Sequence, residues 1–387
     1  MVWNYLLNET MTFILMFMNF DNFTTWLEIN LRTLTENYRI LTTIAGKPVM
    51  PVIKANAYGH GLEEVARALE TAGAQWCGVA RIEEALMLRN AGILMNILVL
   101  GFTPPQRIRE AIINRINVTV YDFNLAQQYA DAIGNSTSKL NVHVKVDTGM
   151  GRLGIPTHQV LEFLKFIKEK HEFDVQGLFT HFACADEPEK PYTLEQLNKF
   201  SEIVKEVEHQ GLRPALIHAA NSAATLNFPD SRFDMVRCGL ALFGLSPSPE
   251  TKFPESLQPT LSWKTRLVSI KNLPSGHGVS YGFRYFTQKQ ERIGVIAAGY
   301  ADGLRRRLGN HVLLQGRRVP VIGNICMDQC MLQLDKVPEA REGDEVVLIG
   351  KQGNMQITAT EIAKEWGTIS YEVVCGMAAR MPRDYIR

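Results

Sequence analysis

Between Val49 and Cys238 the chain keeps one rhythm, and that rhythm limits what it can fold into. Short apolar runs alternate with longer stretches whose apolar residues recur at i, i+3 and i+4. The runs Val49–Lys54, Trp76–Ala80, Ile97–Gly101, Val118–Tyr121, Val142–Val146, Val175–Thr180, Ala215–His218 and Met235–Cys238 read as strands. Helical patterns at Leu62–Ala72, Glu83–Ala91, Pro105–Asn114, Leu125–Ile133, His158–Lys170, Leu194–Gln210 and Ser222–Asn227 separate them. Eight strands with seven intervening helices predict an α/β fold, an N-terminal (β/α)8 barrel of the TIM type ending near Gly244. A doubly wound open sheet is the competing architecture, since a strand count from pattern is easily off by one or two.

The texture then changes. Ser246–Pro249 and Pro254–Pro259 form a Pro/Ser-rich linker. Beyond it Leu261–Ile270, Arg292–Ala298, His311–Leu314, Arg318–Ile322, Met331–Leu334 and Glu345–Ile349 predict a mostly antiparallel β domain, with one helix at Thr358–Glu365. A length of 387 residues suits two domains. The expected division is an N-terminal extension at 1–23, a barrel at 24–250 and a β domain at 251–387. A helix is expected from Thr24, with Ile29, Leu31, Leu34, Tyr38 and Leu41 on one face. The apolar run Met11–Phe20 is too short to span a bilayer, and no Lys or Arg precedes Arg32, as a signal peptide would require. It reads as an early start codon, a packed helix or a weak surface anchor.

Charge is balanced, 41 Lys and Arg against 40 Asp and Glu, so composition gives no reason to expect nucleic acid as a partner. A small molecule is the expected ligand. Six scattered cysteines show neither a C-x-x-C pair nor zinc spacing; no metal is expected, and free thiols in a reducing cytoplasm are.

Active sites of parallel barrels lie at the carboxyl ends of the strands, and polar residues gather there. Lys54 ends the first strand, within Pro51–Gly61 (PVIKANAYGHG). A lysine held there among apolar neighbours suits a Schiff-base enzyme, because burial favours the free amine. Asp147–Arg152 follows the fifth strand, Thr180-His181 the sixth and Asn221-Ser222 the seventh; Arg237, Gly239 and Leu240 close the eighth. Each residue has a plainer reading: Lys54 and Arg152 as surface charges, His181 as a core histidine, Asn221-Ser222 as a helix cap.

Eight segments carry a resemblance to one family: Pro51–Gly61, Lys145–Gly154 (KVDTGMGRLG), His218–Ala223 (HAANSA), Val236–Gly239 (VRCG), Ser280–Gly282 (SYG), Gly299–Gly303 (GYADG), Gly323–Gln329 (GNICMDQ) and Ser370–Glu372 (SYE). They resemble motifs of the alanine racemases, fold-type III enzymes that use pyridoxal 5′-phosphate (PLP), and cover roughly Thr24 to Arg387. The resemblance implies that Lys54 carries PLP and serves one face of the substrate Cα, while Tyr281 serves the other. It implies Tyr58, Ser222, Gly239, Leu240 and Tyr371 as phosphate ligands, with Asn221 beside them. Arg237 would face the pyridine nitrogen, and His181 would bridge Arg237 and Tyr281. Arg152 would take the substrate carboxylate, Tyr300 and Met327 would line the substrate site, and Lys145 matches a position that family members carbamylate. It further implies a homodimer with shared sites that interconverts L- and D-alanine, supplying D-alanine for peptidoglycan. A broad racemase acting on serine or lysine and a non-catalytic PLP-binding protein are the alternatives.

Overall fold

The computed structural model describes residues 23–387 apart from Leu308, so the readings of Met11–Phe20 lie outside the described residues. The chain forms two compact units, Asn30–Thr260, and Leu261–Ile386 joined by the described residues before Asn30. Strand β1 (Thr25–Asn30) therefore stands where a helix was expected. Its Trp26, Leu27 and Ile29 are buried in a sheet, and the helix begins only at Leu31. Asn30 sets that start, since its Oδ1 accepts the Thr33 N–H at 2.8 Å. Leu31, Leu34, Tyr38 and Leu41 fall on the buried face of Leu31–Ala45 as expected, whereas Ile29 belongs to the strand.

The first unit holds eight parallel strands: β2 (Val49–Pro51), β3 (Trp76–Val79), β4 (Asn96–Val99), β5 (Ile116–Val120), β6 (Leu140–Asp147), β8 (Phe173–Phe179), β9 (Leu216–His218) and β10 (Val236–Cys238). The two-residue β7 (Ile155–Pro156) lies beside β6. β3 to β9 pair in the order β3-β4-β5-β6-β8-β9, and β10 pairs with β2. Val52 bridges Gly78 in β3, and backbone bonds from Asp234 to Ile217 (3.0 Å) and Arg237 to Ala220 (2.9 Å) join β9 to β10. Every strand thus finds a neighbour on both sides, which selects the barrel over the open sheet. Helices occupy all seven expected crossovers. The stretch before Thr260 is tied to this unit: the Asn37 amide donates to the carbonyls of Leu242 (3.0 Å) and Gln258 (2.8 Å), and its oxygen accepts the Gln258 N–H. The division accordingly falls after Thr260 rather than after residue 250.

The second unit contains β11 (Leu261–Leu273), β12 (Gly278–Val279), β13 (Tyr285–Phe286), β14 (Glu291–Ile296), β15 (His311–Leu314), β16 (Arg317–Ile322), β17 (Cys330–Gln333), β18 (Glu345–Gln352), β19 (Met355–Ile357) and β20 (Arg383–Ile386). Nine of these strands, β1 included, run β19-β18-β15-β16-β17-β14-β11-β1-β20, and β18 also pairs with β11. β11 outruns its expected span because it pairs with β1 and β18 along one half and with β14 along the other. Helix Ala359–Trp366 starts at its Thr358 cap, and a second helix, Ser370–Cys375, was not expected.

Candidate active site

The sequence pattern carries the first barrel strand through to Lys54. β2 ends at Pro51, yet Val52 and Ile53 still bond to Cys238 (2.8 Å) and Gly78 (2.9 Å) on the flanking strands, and the chain turns only after Lys54. Ala55, Asn56, Ala57 and Tyr58 have φ between 52° and 56°, a left-handed helical turn with no glycine in it. An L-residue in this conformation costs about 1–2 kcal/mol, so four in succession persist only if the surroundings impose them. The Asn56 side chain accepts the Leu62 N–H at 2.8 Å, and His60 Nδ1 lies 2.9 Å from the Tyr58 carbonyl while its ring stacks on Phe243. Lys54, half-buried, opens this turn, and the buried Tyr58 ends it.

Tyr58 reaches the far side of the barrel mouth. A Cβ added to Gly239 would stand 2.4 Å from the Tyr58 hydroxyl, so the phenol occupies the space a side chain would need. Ser222 completes the corner: its Oγ accepts the N–H groups of Gly239 (3.0 Å) and Ala241 (3.3 Å), which leaves its own proton to donate. Leu240 follows directly and is buried. Asn221, by contrast, is used as the helix cap, its Oδ1 accepting the Ala224 N–H at 2.9 Å. Two hydroxyls beside a strand-end glycine, whose side-chain space the Tyr58 phenol fills, make a donor set for a phosphate dianion. The residues present fit PLP.

Inside the barrel a polar chain runs from the mouth inward. The buried Arg237 donates to the Thr180 and Ala219 carbonyls (2.7 and 2.9 Å), to His218 Nδ1 (2.9 Å) and, at 3.3 Å, to His181 Nδ1. A guanidinium has no acceptor, so both Nδ1 atoms present lone pairs. His218 must then carry its proton on Nε2 and give it to His143 Nδ1, 2.9 Å away. Burial, with the Arg237 charge, holds His181 and His218 well below the usual histidine range and His143 down to about 3, so the whole chain is neutral imidazole around one cation. Burial also pulls Arg237 down to about 9, still protonated at neutral pH. His143 and His218 were given no site role from the sequence, whereas Thr180 stood in the expected strand-end cluster. The signal was there: His143 and Lys145 alternate with valines along a strand buried on both faces.

Lys145 is buried, lies 5.7 Å over the Phe179 ring and is pulled to about 8, first by burial and then by Arg152 and Arg237. Lys54 and Arg152 act on His181 in the same sense. Arg152, exposed, is presented by a loop wound around Asp147, whose carboxylate accepts the N–H groups of Gly149 (2.9 Å) and Gly151 (3.0 Å). Lys54, Lys145, Arg152 and Arg237 thus make the barrel mouth cationic, as suits a phosphate and a substrate carboxylate.

The second unit gathers the remaining expected residues. Tyr281, 69% exposed, sits on the β12–β13 hairpin, where Ser280 donates to the Asn324 carbonyl and the Asn324 amide to the Tyr281 carbonyl at 2.6 Å. Tyr300 and Met327 are adjacent, with the N–H groups of Tyr300 and Ala301 bonded to the carbonyls of Cys326 (3.1 Å) and Met327 (2.9 Å). Arg380 bridges Asp302 and Asp328 and fixes the two loops together. Tyr371 lies on Ser370–Cys375 of the same unit, half-buried.

Comparison with known proteins agrees with this geometry. Residues 29–247 match the alanine racemase N-terminal domain and residues 260–385 the alanine racemase C-terminal domain. Alanine racemase of Symbiobacterium thermophilum is 45% identical over 368 residues, 93% of this chain and 97% of that protein. That of Desulfovibrio desulfuricans is 42% identical over 365 residues, 93% and 98% of the two chains. The crystal structure of the Bacillus anthracis alanine racemase with bound L-Ala-P superposes with a TM-score of 0.89 at 40% identity, covering 94% of this chain and 95% of that one. The two matched domains together span both units, and the chain belongs to the alanine racemase family, isomerases that depend on pyridoxal 5′-phosphate.

Proposed function

We propose that the chain interconverts L- and D-alanine with Lys54 and Tyr281 as the acid/base pair on opposite faces of Cα. The observation that carries this reading is that one rigid turn bears both Lys54 and the Tyr58 of the anion cradle, which sets an amine at a fixed distance from a bound phosphate. Bound PLP supplies the electron sink that makes the Cα proton acidic. Lys54 holds or takes the proton on one face, and Tyr281 does so on the other. A tyrosine with an ordinary pKa of about 10 needs assistance as a base. His181 is suited to give it, because its Nδ1 faces Arg237 and its Nε2–H remains to donate to a phenolate. Arg152 takes the substrate carboxylate, and Arg237, a fixed cation, faces the ring nitrogen and keeps it unprotonated. Ser222, Tyr58, Gly239, Leu240 and Tyr371 hold the phosphate, with Asn221 setting the helix that presents Ser222. Tyr300, Met327 and Tyr371 narrow the substrate site to a small side chain. Lys145 suits carbamylation, since a neutral amine is the reactive form and its pKa is drawn down to about 8.

Tyr281, Phe283, Phe286, Tyr300 and Met327 are all exposed in the second unit, which supports a homodimer whose partner they face. Six free cysteines suit the cytoplasm, where D-alanine would feed peptidoglycan synthesis. Solvent deuterium entering Cα of L-alanine, L-serine and L-lysine tests the reading. Exchange confined to alanine supports it, exchange with all three widens it to a broad racemase, and exchange with none defeats it.

A further inference from the structure

The left-handed turn Ala55–Tyr58 must be held from outside, and one carboxylate is placed to do so. Glu84 stands in the first turn of Ile82–Asn90, the helix after β3. Its Oε1 accepts the N–H of Ala55 at 2.6 Å, and its Oε2 accepts those of Ala80 (2.8 Å) and Arg81 (3.3 Å). The latter two are a helix-capping interaction within the β3 crossover. The former reaches 29 residues back along the chain, to the residue following Lys54, at the point where the backbone enters the left-handed region.

We propose that Glu84 is a positioning residue for cofactor binding: by clamping the Ala55 N–H onto the end of β3, it keeps Lys54 and Tyr58 at the separation that lets one PLP engage both. The inference rests on Lys54 and Tyr58 having the roles given above. Ionised carboxylates form the stronger class of bond to backbone N–H groups, and two oxygens let this one hold two chain segments at once. A glutamine keeps one acceptor oxygen and turns an N–H2 toward the other segment. The neighbouring Glu83 makes no such contact; it pairs with Arg107 at 3.0 Å.

The consequence is a chelate effect. A ligand that uses both anchors gains from their fixed geometry, and a ligand that uses one does not. Apoprotein is titrated with three probes: PLP, which has aldehyde and phosphate; pyridoxal, which has only the aldehyde; and pyridoxine 5′-phosphate, which has only the phosphate. Glu84→Ala is expected to weaken PLP binding about tenfold or more while changing the single-anchor ligands by less than about threefold. Glu84→Gln should fall between Glu84→Ala and the unaltered chain, and Glu83→Gln should match the latter. Unchanged PLP affinity in Glu84→Ala overturns the proposal, as does an equal loss for all three probes, which marks a general structural role. Should Glu84→Ala not fold, Glu84→Gln carries the same comparison. Lys54→Ala separates the premises: if it still forms the imine absorbance with PLP, the assignment of Lys54 has failed, whatever Glu84 does.

Discussion

If Lys54 and Tyr281 divide the chemistry between them as proposed, their loss should read differently. Lys54→Ala is expected to abolish the imine absorbance and to lower kcat by at least about a hundredfold. Tyr281→Phe should keep the absorbance, since this residue does not anchor PLP, and lower kcat by about 10²–10⁴-fold. Its solvent isotope exchange should become unequal for L- and D-alanine, because only one face of Cα has lost its base. At the inner end of the polar chain, His143 gives the protein an acid-sensitive core. Its pKa is about 3 in the fold against an ordinary 6.5, so the unfolded chain binds the extra proton between those values. Stability therefore falls as pH drops through 6.5, by about 1.4 kcal/mol per pH unit for each such histidine, and His218 adds to the slope. His143→Asn should flatten this acid limb in urea midpoints measured at pH 7 and pH 5.

At the scale of elements, loops are shaped by glycines whose replacements fail for separable reasons. Gly154 has φ 142°, and a Cβ there would stand 2.3 Å from the Asp147 nitrogen, which no side-chain motion relieves. Gly154→Ala should lose about 1–3 kcal/mol from backbone strain alone, seen as a lower urea midpoint, with the Arg152 loop displaced. Gly239 has an unstrained φ of −108°, and its Cβ would meet only the end of the Tyr58 side chain. Gly239→Ala should therefore leave the urea midpoint nearly unchanged and weaken PLP binding, as equilibrium titration would report. The same contrast shows what pattern reading missed at the first strand. Hydrophobic periodicity extends the first strand to Lys54, and Val52 and Ile53 do keep its bonds to Cys238 and Gly78. What it does not carry is the reversal after Lys54, where Glu84, Asn56 and His60 hold Ala55–Tyr58 in a conformation their side chains do not favour.

For the molecule as a whole, the two clusters of site residues lie in different compact units, and this makes assembly testable. If Tyr281 serves the partner's Lys54, co-refolded Lys54→Ala and Tyr281→Ala chains form mixed dimers in which one site has both residues intact. Random pairing makes half the dimers mixed, each with one of two sites working, so activity should return to about one quarter of the unaltered protein's. No recovery, with mixed dimers shown by mass, would place the two residues on one chain.

Sequence alone determined the alternation of eight strands and seven crossover helices, because hydrophobic periodicity is local and survives any arrangement of neighbours, but closure into a barrel rather than an open sheet came from the pairing of β10 with β2 and β9. It also determined the chemical inventory, since Lys54, Arg237, Ser222 and Tyr281 stand in ordered motifs. Tertiary structure decided the rest, because it depends on contacts between residues far apart in the chain. Thr24–Asn30 has no helical or extended fate of its own until β11 offers a pairing edge. His218 is an unremarkable strand end until Arg237 fixes its tautomer. Glu84 looks like an ordinary helix-start carboxylate until its second oxygen is found on Ala55. The lysine could be read from the chain; what holds it in place could not, because that bond spans 29 residues and a backbone conformation that no sequence period encodes.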